Sequence, residues 1–592
     1  MSMVKVHFNG GQYEVPADSS ILDAARSAGY KIPTLCYHSD LTPWAACGLC
    51  VVKVEGSGKM PRACATRVEE GTRYITHDPE LNQVRRATVE MILADHPDEC
   101  LSCGRNGTCE LQGLAADFSI RERRFESILA ELPRDDSTRA IVLDPRKCIN
   151  CGRCVLVCQE KQDVWALEFL NRGDGTRMKP AGDVLLNDSP CIKCGQCSAH
   201  CPVGAIFEQD DTKRLLDVIR DPELHVAVQI APAVRVAIGE AFGLAAGEIT
   251  TGKIYAALRR LGVDSVFDTN FAADLTIMEE GTEFVDRVRT GKVLPQITSC
   301  CPSWVDYMEK YYGDMIGHFS TVKSPMMMLG ALAKSYYAER KGLSPDKIVS
   351  VGIMPCTSKK YECTRDDNMC SSGYPDVDFV LTTRELARLI KQSGIDFLSL
   401  ADEQADTPIG GYSGAGTIFG VTGGVMEAAL RTAHFLMTGE EHSVIEFRNV
   451  RGMDGVREAT VDVDGTEVRV AMAHGIANVR SILEKVRAAT ETGQEPPYHF
   501  IEVMACRGGC ISGGGQPYGA DDALRAKRIK GLYGDDERAL VRCSHQNPYV
   551  KQLYADYLGE PGSHAAHELL HTEYVSRPLY GSTSDCGCVP RF

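Results

Sequence analysis

The chain has 592 residues, with 64 Lys and Arg against 80 Asp and Glu, so its formal net charge is −16. This length predicts several domains, and the acidic balance argues against a nucleic acid or an anionic membrane as the partner. A hydrophobic content of 44% with 24% charged residues is ordinary for globular proteins and excludes a disordered, collagen-like or coiled-coil chain.

The cysteine content is the unusual feature of the composition. The chain contains 25 Cys, fewer than disulfide-dense secreted scaffolds have. No window approaches 18 uncharged apolar residues, and the first residues read as strand and turn instead of a signal peptide. We therefore expect a soluble cytoplasmic protein in which closely spaced cysteines bind metal or take part in catalysis rather than form disulfides.

Residues 1–78 are predicted to form a small domain of short strands. Asn9-Gly10 is a hairpin signal, and one short helix fits Ser20 to Ala28. Thiolates select soft metals, so the cysteines that follow predict an iron-sulfur cluster, with a structural zinc site as the alternative. Their spacing is C-x10-C-x2-C-x13-C, with Cys36, Cys47, Cys50 and Cys64.

Residues 79–140 are predicted to carry a second metal site. Asp78-Pro79 begins a helix that ends at His96-Pro97, and its apolar positions keep helical spacing at Leu81, Val84, Ala87 and Met91. An isolated histidine is more often a surface or capping residue, but His96 stands beside three cysteines, which favours a ligand role. The candidate ligands are His96, Cys100, Cys103 and Cys109.

Residues 141–210 contain an internal repeat of two cysteine runs. Both runs have the spacing C-x2-C-x2-C-x3-C, and 32 residues separate them. In two-cluster bacterial ferredoxins the fourth cysteine of each run binds the other cluster, so the repeat predicts two 4Fe-4S clusters, with zinc as the alternative. The first set is Cys148, Cys151, Cys154 and Cys201, and the second is Cys191, Cys194, Cys197 and Cys158.

From about residue 211 short β-rich runs alternate with helical stretches, which predicts an α/β domain with parallel strands. Candidate strands cover residues 225–230, 265–268, 294–298, 348–354, 376–381 and 499–504. Ligands collect outside the carboxyl ends of strands in open α/β sheets. Three of these strands lead directly into cysteines, so we expect one buried site built from Cys300-Cys301, Cys356, Cys506 and Cys510.

Three segments of this region carry a family resemblance. They read Thr298-Ser-Cys-Cys-Pro-Ser-Trp304, Met354-Pro-Cys-Thr-Ser-Lys-Lys-Tyr-Glu362 and Glu502-Val-Met-Ala-Cys-Arg-Gly-Gly-Cys510. In this order they resemble the three signatures of iron-only ([FeFe]) hydrogenases. The cysteine patterns of residues 1–140 likewise resemble the 2Fe-2S domain and the 4Fe-4S domain with one His and three Cys ligands found in that family and in complex I large iron-sulfur subunits.

The resemblance implies a multidomain α+β and α/β protein. Its expected parts are a β-grasp 2Fe-2S domain at 1–78, a His-ligated 4Fe-4S domain at 79–140, a two-cluster ferredoxin domain at 141–210, a catalytic domain at 211–575 and a tail at 576–592. Residues 533–575 resemble the portion that periplasmic members carry as a separate exported subunit, and their fusion here supports a cytoplasmic location.

The resemblance also implies the reaction and its cofactors. The reaction is reversible formation of H2 from two protons and two electrons at an H-cluster, with one 2Fe-2S and three accessory 4Fe-4S clusters. The cubane ligands would be Cys301, Cys356, Cys506 and Cys510, with Cys510 bridging to a diiron unit that carries CO, CN and a dithiolate amine. Lys359 would donate a hydrogen bond to a cyanide. The residues expected to seat and enclose the diiron unit are Ala231, Pro232, Pro355, Met354, Met504 and Phe419.

Cys300 is the expected proton donor, because a thiol without a metal to bind has a tunable pKa. The alternative is a small buried hydrophobic residue. The resemblance implies a relay from Cys300 through Glu280, Ser320 and Glu283 toward Arg287. Glu280 and Glu283 are three apart on a predicted helix and share a side, although a solvated acidic face would look the same. Two other positions depart from the family pattern and put the polarity of the pocket in doubt, namely Ala233 and Met326.

Five cysteines remain unassigned, namely Cys363, Cys370, Cys543, Cys586 and Cys588. Cys363 and Cys370 are expected to be free thiols rather than redox or oxygen-protective groups, and the tail with Cys586 and Cys588 is expected to be a flexible end, with binding of metal or of a partner's cluster as the alternative. Gly414-x-Gly416-x-x-x-Gly420 lacks the spacing of a dinucleotide-binding turn and is interpreted as a pocket loop. We therefore expect that this chain does not itself bind NAD(P).

Two partner arrangements remain open, a standalone ferredoxin-dependent enzyme and a subunit of an NAD(P)-linked complex that includes a flavin-bearing protein. The peripheral 2Fe-2S domain favours the complex. Other classes are an iron-sulfur assembly or H2-sensing relative, against which Cys300 argues, and a complex I electron-transfer subunit, against which the segments between 298 and 510 argue.

Overall fold

The computed structural model describes residues 2–126, 132–365, 369–441, 445–463 and 465–581. They form a multidomain protein of mixed α/β structure with parallel sheets. Within these ranges no helix combines the length and the apolar character that crossing a bilayer requires.

The first domain is a four-stranded sheet with one helix against it. The strand order is β2-β1-β4-β3, and the hairpin turns at Asn9 and Gly10, which both have positive φ as a two-residue turn requires. The predicted helix is confirmed, since Ser20 caps its start and Ala28 its end. The elements are β1 Met3–Phe8, β2 Gly11–Pro16, α1 Ile21–Ser27, β3 Lys53–Val54 and β4 Arg73–Ile75.

The second block contains α2 Pro79–Ala94 and α3 Glu110–Asp117. The predicted helix α2 is present, but the apolar face assigned to it is wrong, because Val84 and Met91 are exposed. The buried stripe instead runs through Leu81, Arg85 and Val89. Arg85 belongs to it because its guanidinium donates to the carbonyl oxygens of Leu49, Val51 and Thr76, a tertiary contact that hydrophobic spacing does not reveal.

The third block consists of two antiparallel strand pairs, β5-β8 and β6-β7, with two short helices that carry cysteines. Both helices start after a glycine with positive φ, Gly152 and Gly195, so the sequence repeat is also a repeat of local geometry. The elements are β5 Ile141–Leu143, α4 Arg153–Leu156, β6 Leu167–Leu170, β7 Arg177–Pro180, α5 Gln196–His200 and β8 Ile206–Glu208.

The largest block is built on two four-stranded sheets. One has the order β10-β9-β12-β13 and is entirely parallel. The other has the order β11-β16-β15-β14, in which only the β14–β15 hairpin is antiparallel. The strands are β9 His225–Ile230, β10 Ser265–Asp268, β11 Gln296–Ile297, β12 Ile348–Met354, β13 Phe379–Thr382, β14 Val456–Val463, β15 Thr466–His474 and β16 Phe500–Met504.

Helices connect and cover these sheets. They are α6 Thr212–Ile219, α7 Thr251–Leu261, α8 Thr269–Thr290, α9 Pro302–Tyr311, α10 Pro325–Leu332, α11 Ala338–Lys341, α12 Ser358–Glu362, α13 Thr383–Gln392, α14 Gly414–Ile418, α15 Gly424–Thr438, α16 Ile476–Thr492, α17 Asp522–Arg538, α18 Pro548–Leu553 and α19 His564–Leu570.

Sequence patterns identified most of the strands. The predicted bounds of β9, β10 and β12 are confirmed, while β11 and β16 are shorter than predicted and β13 starts at residue 379 instead of 376. The hairpin of β14 and β15 was not predicted, although the Asp-Gly pair at 464–465 between alternating runs is its signal. The third block, residues 141–210, is called the ferredoxin-like block below. Its core continues into the largest block, because its buried residues belong to the same cluster as Trp304 and Ile501.

Candidate functional site

Four cysteine side chains meet between the two sheets of the largest block. Cys301 follows β11, Cys356 follows β12, and Cys506 and Cys510 follow β16. All four line one apolar cavity of about 80 Å³. The carboxyl ends of strands from two different sheets therefore form the site, where the sequence suggested one converging set of strand ends.

The turn between Cys506 and Cys510 depends on glycine. Gly508 and Gly509 have φ of +77° and +99°, and a Cβ on Gly509 would lie 2.8 Å from the backbone nitrogen of Thr422. Only glycine fits such a close backbone approach at positive φ. This turn places both thiols on the same side of the cavity.

The chemistry of the four thiols fits an iron-sulfur cluster. Burial, followed by the nearby Cys301, raises the pKa of Cys356 to about 12, and burial raises the pKa of Cys301. Four thiolates gathered in one apolar cavity need positive charge close by, which iron supplies. N–H donors are also present, because Gln196 donates from Nε2 to Sγ of Cys506 over 3.2 Å.

The other side chains expected at the cavity do line it. They contribute an apolar wall, except for Lys359, whose Nζ donates to the Cys300 carbonyl oxygen over 3.3 Å and pairs with Glu362 over 2.7 Å. Ala233 and Met326 make the wall still less polar. The expected residues found there are Ala231, Pro232, Pro355, Met354, Met504, Phe419, Lys359 and Cys300.

Sequence reasoning missed two kinds of residue at this site. Thr269 and Pro325 line the cavity from the starts of α8 and α10, and Gln196 reaches Cys506 from the ferredoxin-like block. Gln196 lies inside a cysteine run, and nothing in the sequence pattern of that run distinguishes it as a functional residue. Thr269 directly follows β10, so the rule that ligands collect at strand ends is the signal that could have found it.

A row of polar side chains leads away from Cys300 along α8. Burial, followed by the charge of Glu283, raises the pKa of Glu280 to about 8. Ser320 donates from Oγ to Oε2 of Glu283 over 3.0 Å, and Arg287 pairs with Oε1 of Glu283 over 2.7 Å. Burial, followed by Glu280, raises the pKa of Cys300 well above its usual range, so the thiol is protonated at neutral pH.

The cysteines of the ferredoxin-like block form the two crossed sets. Cys148, Cys151, Cys154 and Cys201 line one small cavity. Cys158, the fourth cysteine of the first run, lies instead by Cys191, whose charge raises the pKa of Cys158 after the larger effect of burial. Cys194 and Cys197 complete this second set.

The second set borders directly on the four cysteines of the apolar cavity. Thr357, next to Cys356, donates from Oγ1 to the carbonyl oxygen of Lys193 over 2.9 Å. A Cβ on Gly514 would lie 2.5 Å from the carbonyl oxygen of Cys194, so glycine permits the two backbones to touch. A cluster held by this second set would be adjacent to one held by the four cysteines of the apolar cavity.

The cysteines of the first domain also converge. Sγ of Cys50 and Sγ of Cys64 are 3.4 Å apart, and Cys36 hydrogen-bonds with both Cys47 and Cys64. Trp44, beside Cys47, stacks on Phe169 of the ferredoxin-like block with ring centroids 5.9 Å apart. This contact brings the first domain against the block that carries the other clusters.

The fourth candidate site is more open. His96, Cys100 and Cys109 line a cavity of about 400 Å³, and a Cβ on Gly204 would lie 2.4 Å from Sγ of Cys103. Burial, followed by Lys147, lowers the pKa of His96 to about 4, so its imidazole is neutral and able to bind metal. Nδ1 of His96 is buried and has no hydrogen-bond partner in the part of the chain that the structure describes. This is the state expected of a nitrogen that binds a metal.

Among the cysteines outside the proposed ligand sets, one differs from its predicted bonding state. Cys363 and Cys543 are free, and burial raises the pKa of Cys543 to about 11. The expectation of a free thiol at Cys370 is wrong, because Cys370 takes part in a disulfide bond. Cys586 and Cys588 lie outside the described residues.

Comparison with protein families gives five matches along the chain. Residues 224–514 match the model described as the C-terminal domain of the iron-only hydrogenase large subunit, and residues 521–577 match the iron hydrogenase small subunit. Residues 1–79 match a 2Fe-2S iron-sulfur cluster binding domain, 85–124 the NADH-ubiquinone oxidoreductase-G iron-sulfur binding region and 147–205 a 4Fe-4S dicluster domain.

Individual relatives are similar over the full length. The NADP-reducing hydrogenase subunit HndD of Solidesulfovibrio fructosivorans is 47% identical, with 98% of this chain and 100% of that protein covered. Iron hydrogenase 1 of Clostridium pasteurianum is 39% identical, with 97% and 100% covered. A solved structure of a variant of apo [FeFe]-hydrogenase HydA1 from Chlamydomonas reinhardtii superposes with a TM-score of 0.56 at 43% identity, covering 62% of this chain and 100% of that one.

Proposed function

Because the chain belongs to the iron-only ([FeFe]) hydrogenase family, we propose that it interconverts protons, electrons and H2 at an H-cluster as the catalytic subunit of an NAD(P)-linked complex. One observation carries this proposal. The four thiols and the additional thiol of Cys300 line a single small apolar cavity. Four thiols account for a cubane, and the fifth is available for proton transfer.

The cavity residues would hold and enclose the H-cluster. When bound, this cofactor supplies the iron centre at which H2 is formed or split heterolytically, with CO, CN and dithiolate amine ligands. Cys510 would also bridge its two halves. Lys359 lines the cavity and would donate a charge-assisted hydrogen bond to a cyanide. The backbone at Ala231, Pro232 and Pro355 would seat the diiron half. The cubane ligands would be Cys301, Cys356, Cys506 and Cys510.

The apolar wall excludes water, so protons must pass through protein groups. Cys300 is adjacent to Cys301 and would exchange a proton between the cavity and Glu280. A pKa of Glu280 near 8 lets its carboxyl both hold and release a proton near neutral pH. The hydrogen bond from Ser320 to Glu283 would extend this path toward the surface.

Electrons would travel through four accessory clusters. The second ferredoxin-like set borders the catalytic cysteines, so a 4Fe-4S cluster there is the expected final donor. A 2Fe-2S cluster in residues 1–78 and a His-ligated 4Fe-4S cluster beside the open cavity would lie nearer to a partner. The expected partner is a flavin-bearing NAD(P)-binding subunit, supported by the name of the relative that is 47% identical.

A standalone ferredoxin-dependent hydrogenase is the second candidate. It is favoured by the full-length similarity to a relative named iron hydrogenase 1. Both candidates share the reaction and differ in the electron partner. A cytoplasmic location is expected for both, because the region that matches the small subunit is continuous with the catalytic domain.

The test is anaerobic production of the chain together with the diiron-site maturation proteins. We expect infrared bands of CO and CN, together with H2 production from reduced ferredoxin or from NAD(P)H in the presence of co-purifying subunits. Absence of CO and CN bands in matured protein would contradict the H-cluster. CO and CN bands without turnover would instead indicate an H2-sensing relative.

A further inference from the structure

The path described above ends at Arg287, whose surroundings are unsuited to proton release. Nε and Nη2 of Arg287 both donate to Oε1 of Glu283. Its remaining contacts go to backbone oxygens, namely those of Val293, Gly317, His318 and Phe319. A guanidinium does not lose its proton in proteins, and here its donors are committed to acceptors. Arg287 therefore orients Glu283 but is a poor carrier.

The other oxygen of Glu283 faces a different group. Oε2 accepts from the backbone nitrogen of Thr321 over 3.1 Å and from Oγ1 of Thr321 over 3.4 Å. Oγ1 of Thr321 is in turn 2.8 Å from Nδ1 of His571. A hydroxyl and an imidazole both accept and donate protons, so this branch is chemically able to conduct.

His571 is held in the orientation that this branch needs. Nε2 of His571 lies 3.1 Å from Oε2 of Glu279, a buried carboxylate that also accepts from Tyr554 and from the backbone nitrogen of Gly562. Since a carboxylate only accepts, His571 carries a proton on Nε2, and Nδ1 is the nitrogen that exchanges a proton with Thr321. The side chain of His571 is only 7% exposed.

Both groups nevertheless reach solvent, because Thr321 and His571 line a surface cavity of about 470 Å³. His567, Glu568 and Glu573 line the same cavity, and the rings of His567 and His571 are 4.0 Å apart between centroids. The groups that face His571 are thus Glu279 on α8, Glu283 through Thr321, and His567 with the two carboxylates at the cavity.

We propose that protons enter and leave the chain at Glu283 through Thr321 and His571, and that Arg287 is a positioning residue. This inference rests on the hydrogenase function proposed above. During H2 formation, Nδ1 of His571 takes a proton from cavity water while the Thr321 side chain is rotated away. Once the contact re-forms, Nδ1 gives this proton to Oγ1 of Thr321, whose own proton moves to Oε2 of Glu283. Each transfer breaks one bond to hydrogen and forms one, and the ring ends with the protons that it had at the start. H2 uptake reverses the order.

The spacing of His567-Glu568-x-x-His571 also matches a zinc-binding helix. Helix α19 ends at Leu570, however, and both nitrogens of His571 are already engaged with Thr321 and Glu279. A proton-conducting role accounts for those two contacts, whereas a metal site leaves them unexplained.

The test compares variants of the matured holoenzyme. Thr321→Val removes the hydroxyl at nearly constant volume, His571→Gln keeps hydrogen bonding without proton transfer, and Arg287→Met removes the guanidinium. The control is His564→Gln at the start of α19, the helix that ends just before His571, since the side chain of His564 is 88% exposed. The readouts are H2 evolution from pH 6 to 9 and the infrared rate at which the Glu280 carboxyl is reprotonated after a pH jump.

We expect Thr321→Val and His571→Gln to slow both turnover and reprotonation about 100-fold, at the lower end of the usual range for one proton-transfer group. Imidazole should restore reprotonation in His571→Ala, and the His564→Gln control should match wild type. Reprotonation in Arg287→Met should be faster than in Thr321→Val. Wild-type rates in Thr321→Val and His571→Gln, with slow reprotonation in Arg287→Met, would overturn the proposal. Wild-type protein without CO and CN bands would contradict the hydrogenase function instead.

Discussion

The catalytic cavity and the cavity at His96 are both lined by cysteine, yet they are built in opposite ways. The first measures about 80 Å³ and is enclosed by apolar side chains at strand ends. The second measures about 400 Å³ and is bordered by Arg121, Arg123 and Arg124 on loops.

The difference separates two tasks. An apolar cavity at strand ends excludes water, so that proton delivery depends on the side chains of the proton path. An open, charged cavity at a peripheral cluster leaves room for another protein to approach, as electron exchange requires. We expect mutations at the first cavity to affect chemistry, and mutations at the second to affect the exchange of electrons.

The sharpest test of the closed site is Cys300→Ser. A hydroxyl is a much weaker acid than a thiol, so we expect turnover to fall about 10³-fold, within the range for loss of a general acid. Iron content and CO and CN bands should remain, because Cys300 is not an expected ligand. Cys301→Ser is the matched comparison and should lose iron. Near wild-type turnover in Cys300→Ser would contradict its role in proton delivery.

The next effect concerns Glu280. Because burial and Glu283 raise its pKa to about 8, the carboxyl is protonated below that pH and loses its proton as the pH rises through it. The rate of H2 evolution should therefore decline above pH 8. Glu280→Gln should lose about 10²-fold at all pH values, measured with a reduced dye. A Gln variant that keeps the wild-type rate and pH profile would exclude Glu280 from the path.

At the open site we expect a smaller effect. His96→Cys replaces a neutral ligand by a thiolate, which should lower the reduction potential of that cluster. Turnover with the physiological electron partner should fall about threefold, because a lower potential disfavours electron entry. Turnover with a dye that reacts at other clusters should be unchanged. Redox titration followed by electron paramagnetic resonance measures the potential, and an unshifted value would contradict ligation by His96.

The smallest expected effect on turnover comes from the contact between the first domain and α17. Arg525 pairs with Asp40 through Nη1 over 2.9 Å, and both side chains are almost fully buried. Burial opposes ionisation, but the nearby His200, whose Nε2 lies 3.7 Å from Oδ2 of Asp40, and the hydrogen bonds from Arg525 hold the pKa of Asp40 well below its usual range. This stabilisation is present above pH 4 and is lost as the pH falls.

Asp40→Asn should therefore destabilise the protein by about 2 kcal/mol at pH 7, since it removes a charged hydrogen-bond acceptor from buried Arg525 and leaves the exposed Asp522 as the remaining carboxylate partner. Dye-linked turnover should stay near that of wild type. Thermal unfolding followed by the visible absorbance of the clusters measures the loss, and Asp117→Asn at an exposed ion pair is the control. Equal stability of both variants would show that the contact contributes little.

The sequence identified local features well. Cysteine spacing indicated which thiols would meet, because ligands of one cluster must lie on adjacent loops. Asn9-Gly10 identified the hairpin because few residues adopt two successive positive φ angles. The strands β9 and β12 were found because buried strands are continuous apolar runs.

Features that depend on tertiary contacts were not predictable from local patterns. Arg85 is buried only because three carbonyl oxygens of another domain surround it. Gln196 reaches Cys506 across a domain boundary, and the disulfide at Cys370 contradicts an expectation based on compartment alone. The contact of Thr321 with His571 joins residues 250 positions apart, which no spacing rule detects.

The backbone contact between Gly514 and Cys194 bears on how this protein can be shortened or recombined. Deleting the residues before about 210 would expose the apolar surface that packs against the ferredoxin-like block. It would also expose the backbone around Thr357 and Gly514 that contacts that block. The catalytic half therefore cannot be transplanted unchanged. A minimal enzyme derived from this chain needs new polar side chains around Thr357 and Gly514, introduced in the same step as the deletion.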